Sequence, residues 1–220
     1  MAVAPTTQAE IREHQWYIVG RWQEYEGEAR ANLLRIIGIA AFYTIELINY
    51  HGLSLGFLEI PKVEEVDKPF HQAITALSVA WTMVGLGILL CLRRQVFPAA
   101  LKFVSTGCDI VLLTAILTVA DGPKSPLVVG YLLVIALSTV RFNLPLVWFS
   151  TAGSAAGYIF LLGHAKWFRE ATRVPRYHQL MFLLAVLLTG VVLGQVIRRV
   201  RSVAQDYAAR LDHAGKANSG

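Results

Sequence analysis

The chain has 220 residues, of which 55% are hydrophobic and only 16% are charged, and it carries a formal net charge of +5. With a mean hydropathy of +0.50, it is too apolar for a soluble domain of this size and is predicted to be an integral membrane protein. The positive charge is then the expected excess of basic residues in cytoplasmic loops, and it does not indicate nucleic-acid binding.

Residues 1–31 are predicted to form a cytoplasmic amphipathic helix. Thr7 and Glu10 have the spacing of a capping box, and apolar residues then recur at helical intervals with charges between them. Such a helix commonly anchors a protein to the membrane surface, and binding of a partner is the alternative. The first ten residues have neither a basic start nor an apolar core, so the first span is expected to be its own insertion signal.

Six apolar blocks follow, most of them about 20 residues long and therefore able to cross a bilayer. They cover residues 33–50, 70–92, 99–120, 127–140, 146–165 and 180–197, and the fourth is the shortest. The chain is predicted to be an all-α integral membrane protein, with a six-helix transmembrane domain over residues 32–198. Its surroundings are then the lipid bilayer, and the short connections leave no room for a soluble catalytic domain.

The positions of lysine and arginine predict the orientation, because cytoplasmic loops are enriched in both. Both termini and the loops after spans two and four hold 13 of the 20 basic residues, and the opposite side holds 7. Both termini are therefore predicted to be cytoplasmic, in a bacterial inner membrane. Cys91 and Cys108 lie inside spans near the reducing side and are interpreted as packing residues, not as a disulfide.

Span six is predicted to continue into a cytoplasmic exit helix, which together with a disordered tail covers residues 199–220. Five residues follow steps of three and four, the spacing of a two-stranded coiled coil: Leu193, Val196, Val200, Val203 and Tyr207. A homodimer stalk and a solvated helix end both agree with this pattern. The tail from Gly215 onward is expected to be disordered.

Small residues in the last two spans predict close helix packing. Gly153 with Gly157 and Gly190 with Gly194 each form a GxxxG pattern, which lets helix backbones approach closely in lipid. Contact between spans five and six is the main interpretation, and homodimerisation is the alternative.

Four histidines lie at the ends of apolar segments and, in the predicted topology, on the outer face: His51, His71, His164 and His178. Imidazole binds zinc, copper and haem iron and changes charge near neutral pH. One interpretation is a shared site for copper, zinc, haem b or a small ligand. The other is a set of separate interface histidines that hydrogen-bond loop backbone.

Two acidic residues inside the spans need partners, because charge is costly in a membrane. Glu46, about one turn below His51, is a candidate further metal ligand or the hydrogen-bond partner of His51. Asp109 lies deepest and is expected to pair with Lys102 or Arg35, as a structural pair and not as a proton path.

Several of these features together resemble a known kind of signalling module. They are the six short-looped spans, the four histidines, the run from Arg141 to Phe149 (RFNLPLVWF) and the exit helix from Gly194 to Val200 (GQVIRRV). They resemble the six-helix, four-histidine membrane input modules that precede the catalytic domain in some bacterial class III adenylate cyclases and related signalling proteins. The resemblance covers about residues 30–210. It implies that the histidines form a ligand or metal site and that the exit helix passes a signal to the enzyme.

The sequence carries no recognisable motif for nucleotide binding, cyclisation or phosphotransfer, so no enzyme is expected. The predicted function is a sensory or receptor module that acts on a cytoplasmic cyclase or kinase, either as a free-standing protein or as the membrane half of a longer product. The alternative is a non-catalytic structural or cytochrome b-like redox subunit of a membrane complex.

Overall fold

A computed structural model describes residues 8–54, 59–61, 67–94, 98 and 100–217, with side chains described for 25–52, 61, 67–94, 98 and 100–205. Six α-helices run through these residues: α1 (Gln8–His51), α2 (Lys68–Arg93), α3 (Leu101–Val119), α4 (Gly130–Val140), α5 (Leu144–Trp167) and α6 (Arg176–Ala217). Two-residue strands, β1 (Leu53–Ser54) and β2 (Glu59–Ile60), pair antiparallel between α1 and α2. The predicted all-α class is confirmed, with this strand pair as a small addition.

Among the described residues, five helical segments are long and apolar enough to cross a membrane: Tyr25–His51, Lys68–Arg93, Leu101–Val119, Leu144–Trp167 and Arg176–Gln205. The remaining apolar segment, Pro126–Val140, is shorter and begins with 3₁₀ turns before α4. Length and composition therefore support a membrane protein and five of its six predicted spans.

Two helices begin where the sequence supplies a capping side chain. The carboxylate of Asp67 accepts a hydrogen bond from the backbone N–H of Phe70 at 2.9 Å, and the amide oxygen of Asn143 accepts one from Leu146 at 3.1 Å. Each cap is followed by a proline in the first helical turn, where the missing N–H costs nothing. These signals fix the starts of α2 and α5.

Helix α1 has no boundary near residue 31. The stretch predicted as a separate amphipathic helix runs directly into the first span as one helix of 44 residues. No proline occurs between residues 8 and 51, so nothing in the backbone forces a break. Thr7, the predicted cap, lies outside the described residues.

Helix α6 continues past Arg198 and Arg199, so the predicted helical continuation of span six is present. It also extends to Ala217, so the prediction of a disordered tail is wrong for Gly215–Ala217. The segment has no proline and contains several alanines, which favour continued helix. Residues 218–220 and the side chain of Tyr207 lie outside what is described.

Consecutive helices reverse direction, and each helix packs against its neighbour in the chain; α4 also packs against α1 and α6, and α3 against α5. One end of the bundle, here called the histidine end, carries His51, His71, His164 and His178. The opposite end, called the arginine end, carries Arg94, Arg141 and Arg201. A core cluster around Leu117, Tyr131 and Leu161 joins α3, α4 and α5.

The glycines of α5 and α6 bring helices into close contact, although not all at the predicted interface. A Cβ on Gly190 of α6 would overlap Thr151 of α5, so the predicted contact between spans five and six is present. A Cβ on Gly153 would instead lie 2.6 Å from Cδ1 of Ile110 on α3, and one on Gly157 would lie 2.8 Å from the Tyr131 hydroxyl on α4. The two α5 glycines therefore allow α5 to pack closely against α3 and α4.

Candidate functional site

Two of the four histidines lie side by side at the histidine end. The rings of His51 and His71 have centroids 6.2 Å apart, and Tyr50 stacks on the His71 ring at 4.0 Å. Nδ1 of His71 lies 2.8 Å from Oε1 of Glu46. Glu46 therefore pairs with His71 on α2 and not with His51, which was the predicted partner.

The other two histidines have aromatic surroundings of their own. His164 lies between Phe160 and Phe168, with ring centroids 6.3 and 5.3 Å away. His178 is exposed next to Tyr177, 4.5 Å between centroids. Both belong to the α5–α6 pair, whereas His51 and His71 belong to the α1–α2 pair.

This arrangement does not fit one shared four-histidine metal centre. Across the part of the chain that the structure describes, no three histidine, cysteine, aspartate or glutamate side chains converge so that they could hold a metal ion. Binding of copper, zinc or haem b by His51, His71, His164, His178 and Glu46 stays a prediction.

A cavity of about 970 Å³ opens at the histidine end between α1, α2, α3 and the connections that follow α3 and α5. Its walls combine apolar side chains, among them Phe42, Phe70 and Ile116, with polar ones such as Glu46 and Arg169. This volume and mixed lining are typical of small-molecule sites. The sequence did not reveal this cavity, since its walls come from four separate segments.

A fully paired ion pair lies deeper in the bundle. Nε and Nη2 of Arg35 donate to the two carboxylate oxygens of Asp109, both at 2.7 Å. Nε1 of Trp81 donates to the same carboxylate at 2.7 Å, and Nη1 of Arg35 donates to Asn32 at 2.7 Å. Both charged side chains are almost completely buried. Of the two predicted partners of Asp109, Arg35 is therefore confirmed.

A second buried ion pair lies at the arginine end. Nη2 of Arg141, the residue that ends α4, donates to Oε1 of Glu28 at 2.7 Å, and Nη1 donates to the hydroxyl of Thr106 at 2.6 Å. Burial lowers the pKa of the Arg141 guanidinium, and the negative charge of Glu28 opposes that shift. Glu28, Asn32 and Arg35 follow one face of α1, so one helix joins both pairs.

The second pair connects directly to the exit helix. Phe142, next to Arg141, has a left-handed backbone with φ of 47°, and its carbonyl oxygen accepts a hydrogen bond from Nη2 of Arg201 at 2.7 Å. Arg201 lies on α6 beyond Arg198 and Arg199. The loop that carries Arg141 is thereby tied to the start of the exit helix.

Sequence reasoning did not identify the second pair. Glu28 falls in the segment predicted to be a cytoplasmic surface helix, and Arg141 follows the fourth apolar block, where the orientation rule alone accounts for a basic residue. The spacing of Glu28, Asn32 and Arg35 on one helical face was the available signal.

Comparison with protein families, with curated proteins and with solved structures gives no significant match to this chain. The fold and the site therefore define only a class, an all-α protein with the helices of a membrane protein.

Proposed function

We propose that this chain is a membrane-embedded receptor module, in which a small ligand enters the cavity at the histidine end and α6 passes the signal to a cytoplasmic partner. The observation that carries this proposal is the continuity of α1. The same helix provides Glu46 to the cavity and Glu28 to the pair with Arg141. The loop after Arg141 in turn holds Arg201 of α6.

The physical reason is that buried ion pairs tolerate few arrangements. A charged side chain in a low-dielectric core needs its partner in place, so small displacements are resisted and larger ones require re-pairing. A ligand that shifts Glu46 displaces α1, and this displacement reaches Glu28 and then Arg141. The cavity and the exit helix are thermodynamically coupled only if ligand binding in the cavity and the contacts of the exit helix shift the equilibrium between the same two conformations.

We also propose that all six helices span a bacterial inner membrane, with both termini in the cytoplasm. The shortest segment, Pro126–Val140, is about 24 Å long from its helical rises, and local thinning of the bilayer accommodates such a length. The basic residues that mark the arginine end support this orientation.

The output of the module is proposed to be a homodimer acting on a cyclase or kinase. Val196, Val200 and Val203 are exposed on α6 by 49%, 45% and 60%. Their spacing agrees with a two-stranded coiled coil. Val200 and Val203 also lie beyond the sixth predicted span, where lipid does not cover apolar side chains.

The test is a spin label at Ser202 on the exit helix, in full-length protein with Cys91 and Cys108 replaced by alanine and reconstituted in nanodiscs. Glu46→Gln removes the charge at the cavity and is expected to change the mobility of the label. In a background with Arg201→Ala, the response to Glu46→Gln is expected to disappear, because the tie to Phe142 is broken.

Thr44→Val is the matched control, since Thr44 is exposed on the same helix and its hydroxyl bonds only the carbonyl of Ala40 among its described contacts. It is expected to leave the spectrum unchanged. Identical spectra for the parent, Glu46→Gln and Thr44→Val would overturn the proposed coupling.

A further inference from the structure

The cavity at the histidine end has an excess of negative charge. Among the described residues that line it, four are acidic and one is basic: Glu46, Asp67, Asp121, Glu170 and Arg169. The guanidinium of Arg169 is already engaged by backbone, because its Nη1 donates to the carbonyl oxygens of Thr118, Val119 and Ala120 at 3.3, 3.1 and 2.9 Å. There it neutralises the negative end of α3.

Two further cations near the cavity, Arg173 and Lys124, are exposed. Arg173 pairs with Glu170 at 2.8 Å, and both side chains are exposed. Nζ of Lys124 is exposed and donates to the carbonyl oxygen of Ala171. Asp67 is occupied as the cap of α2. Among the described carboxylates of the cavity, the two that have neither a lysine or arginine partner nor a capping role are Glu46, which shares one hydrogen bond with the His71 ring, and Asp121 at the exposed rim.

Glu46 has a hydrogen-bonding position left over. Its Oε1 is paired with His71, whereas Oε2 is buried and has no hydrogen-bond partner among the described residues. A buried carboxylate oxygen without a donor costs free energy. A ligand with an N–H donor that reached this oxygen after a small side-chain rotation would remove that cost.

The remaining walls suit an apolar body. Phe42, Phe70, Ile74, Ile116 and Leu127 line the cavity, and the two phenylalanine rings offer faces that attract a cation. An anion would meet the carboxylates without an uncommitted basic partner. A phospholipid is disfavoured for the same reason, because its phosphate would face Glu46 and Asp121.

We infer that this cavity binds an organic amine in its cationic form, with an apolar body against Phe42 and Phe70 and its ammonium group donating to Glu46. This assignment names the ligand class of the receptor site and rests on the proposed function.

The test uses full-length protein in phosphatidylcholine nanodiscs and three probes of one shape: 4-phenylbutylammonium, 4-phenylbutanol and 4-phenylbutanoate. Binding is measured by calorimetry, with empty nanodiscs subtracted to remove partitioning into lipid. The amine is expected to bind saturably, the alcohol more weakly and the carboxylate not at all. Glu46→Gln is expected to weaken amine binding about tenfold or more, as expected for loss of a charge-assisted hydrogen bond.

Asp121→Asn is the second variant, because Asp121 is exposed and its replacement does not disturb the core. It is expected to weaken amine binding about two- to fivefold, in line with a solvent-exposed charge. Glu26→Gln is the matched control on the same helix, at the arginine end, where Glu26 pairs with Arg30; it is expected to have no effect.

Equal affinity for the amine and the alcohol, or unchanged affinity after both cavity substitutions, would overturn the inference. If the amine does not bind but the label at Ser202 responds to Glu46→Gln, the receptor function stands and the amine assignment fails. If the amine binds as described and the label stays silent, the amine site stands and the receptor function fails.

Discussion

Asp109 is the most completely paired charge within the described part of the bundle. One of its oxygens accepts from Arg35 and Trp81, and the other accepts a second hydrogen bond from Arg35. Taking each ion out of water costs several kcal/mol unless such bonds replace the lost hydration. The pair is therefore stable only as a unit, and removal of one charge leaves the other buried without compensation.

We predict that Asp109→Asn lowers the free energy of unfolding by about 3–5 kcal/mol, since it leaves the Arg35 charge buried and unpaired. Unfolding in mixed micelles with increasing denaturing detergent measures this change. Glu26→Gln, which breaks the exposed pair with Arg30, is expected to cost less than about 1 kcal/mol. Equal losses in the two variants would show that burial of the pair contributes nothing.

The residues of the buried pairs were only partly predictable from the sequence. Asp109 was a clear candidate, because a carboxylate inside a span needs a cation, but Lys102 on the same helix and Arg35, 74 residues away on α1, were both candidate partners. Only the packing of α1 against α2 and α3 selects Arg35. Glu28 and Arg141 are separated by more than a hundred residues, and nothing local links them.

At the level of the helices, the glycines decide which faces meet. The contact between α5 and α6 depends on Gly190, because a Cβ there would overlap Oγ1, Cγ2 and Cβ of Thr151. Gly87 on α2 is a useful contrast, since a Cβ there would meet nothing within 4 Å. The same residue type thus has opposite consequences at two helical positions.

We predict that Gly190→Ala destabilises the protein by about 1–3 kcal/mol, because it overpacks the contact between α5 and α6. Gly87→Ala is expected to be neutral or to stabilise it by about 0.5–1 kcal/mol, as a glycine removed from a helix interior. Thermal unfolding in mild detergent distinguishes the two. Adding Thr151→Ala to Gly190→Ala should recover part of the loss, and no recovery would place the strain elsewhere.

Helix boundaries were predictable where the sequence marks them. The observed ends of α2, α3 and α5 lie within two residues of the predicted spans, since prolines, arginine pairs and capping side chains interrupt the apolar pattern there. The lengths of α1 and α6 were not predictable in the same way. Their polar extensions continue the helix without a break, and a hydropathy pattern marks the end of the membrane but not the end of a helix.

The two ends of the helical bundle carry different kinds of contacts. The cavity and the Glu46–His71 pair occupy the histidine end, whereas the Glu28–Arg141 pair and the tie to Arg201 occupy the arginine end. The general class of this molecule followed from composition alone. The division between a cavity and a buried charge network did not, because it depends on contacts between helices that are distant in sequence.

We predict that the two ends face opposite sides of the membrane. Single cysteines at Lys166 and Ser202, both exposed, are introduced after Cys91 and Cys108 are replaced by alanine. On intact cells, a membrane-impermeant maleimide should label Lys166→Cys and should reach Ser202→Cys only after permeabilisation. The reverse labelling, or equal labelling of both, would contradict the proposed orientation.

Because α1 is one unbroken helix, a tilt about a buried point would move its two ends in opposite directions. From Arg35, the arm to Glu46 is about 16 Å long and the arm to Gln8 is about 40 Å long, at 1.5 Å per residue. If the buried Arg35–Asp109 pair is the fulcrum, a tilt that moves Glu46 by about 1 Å moves Gln8 by about 2.5 Å in the opposite direction. The N-terminal end of α1 would then be a second moving element in addition to α6. Its displacement would exceed that of Glu46, because its arm is longer.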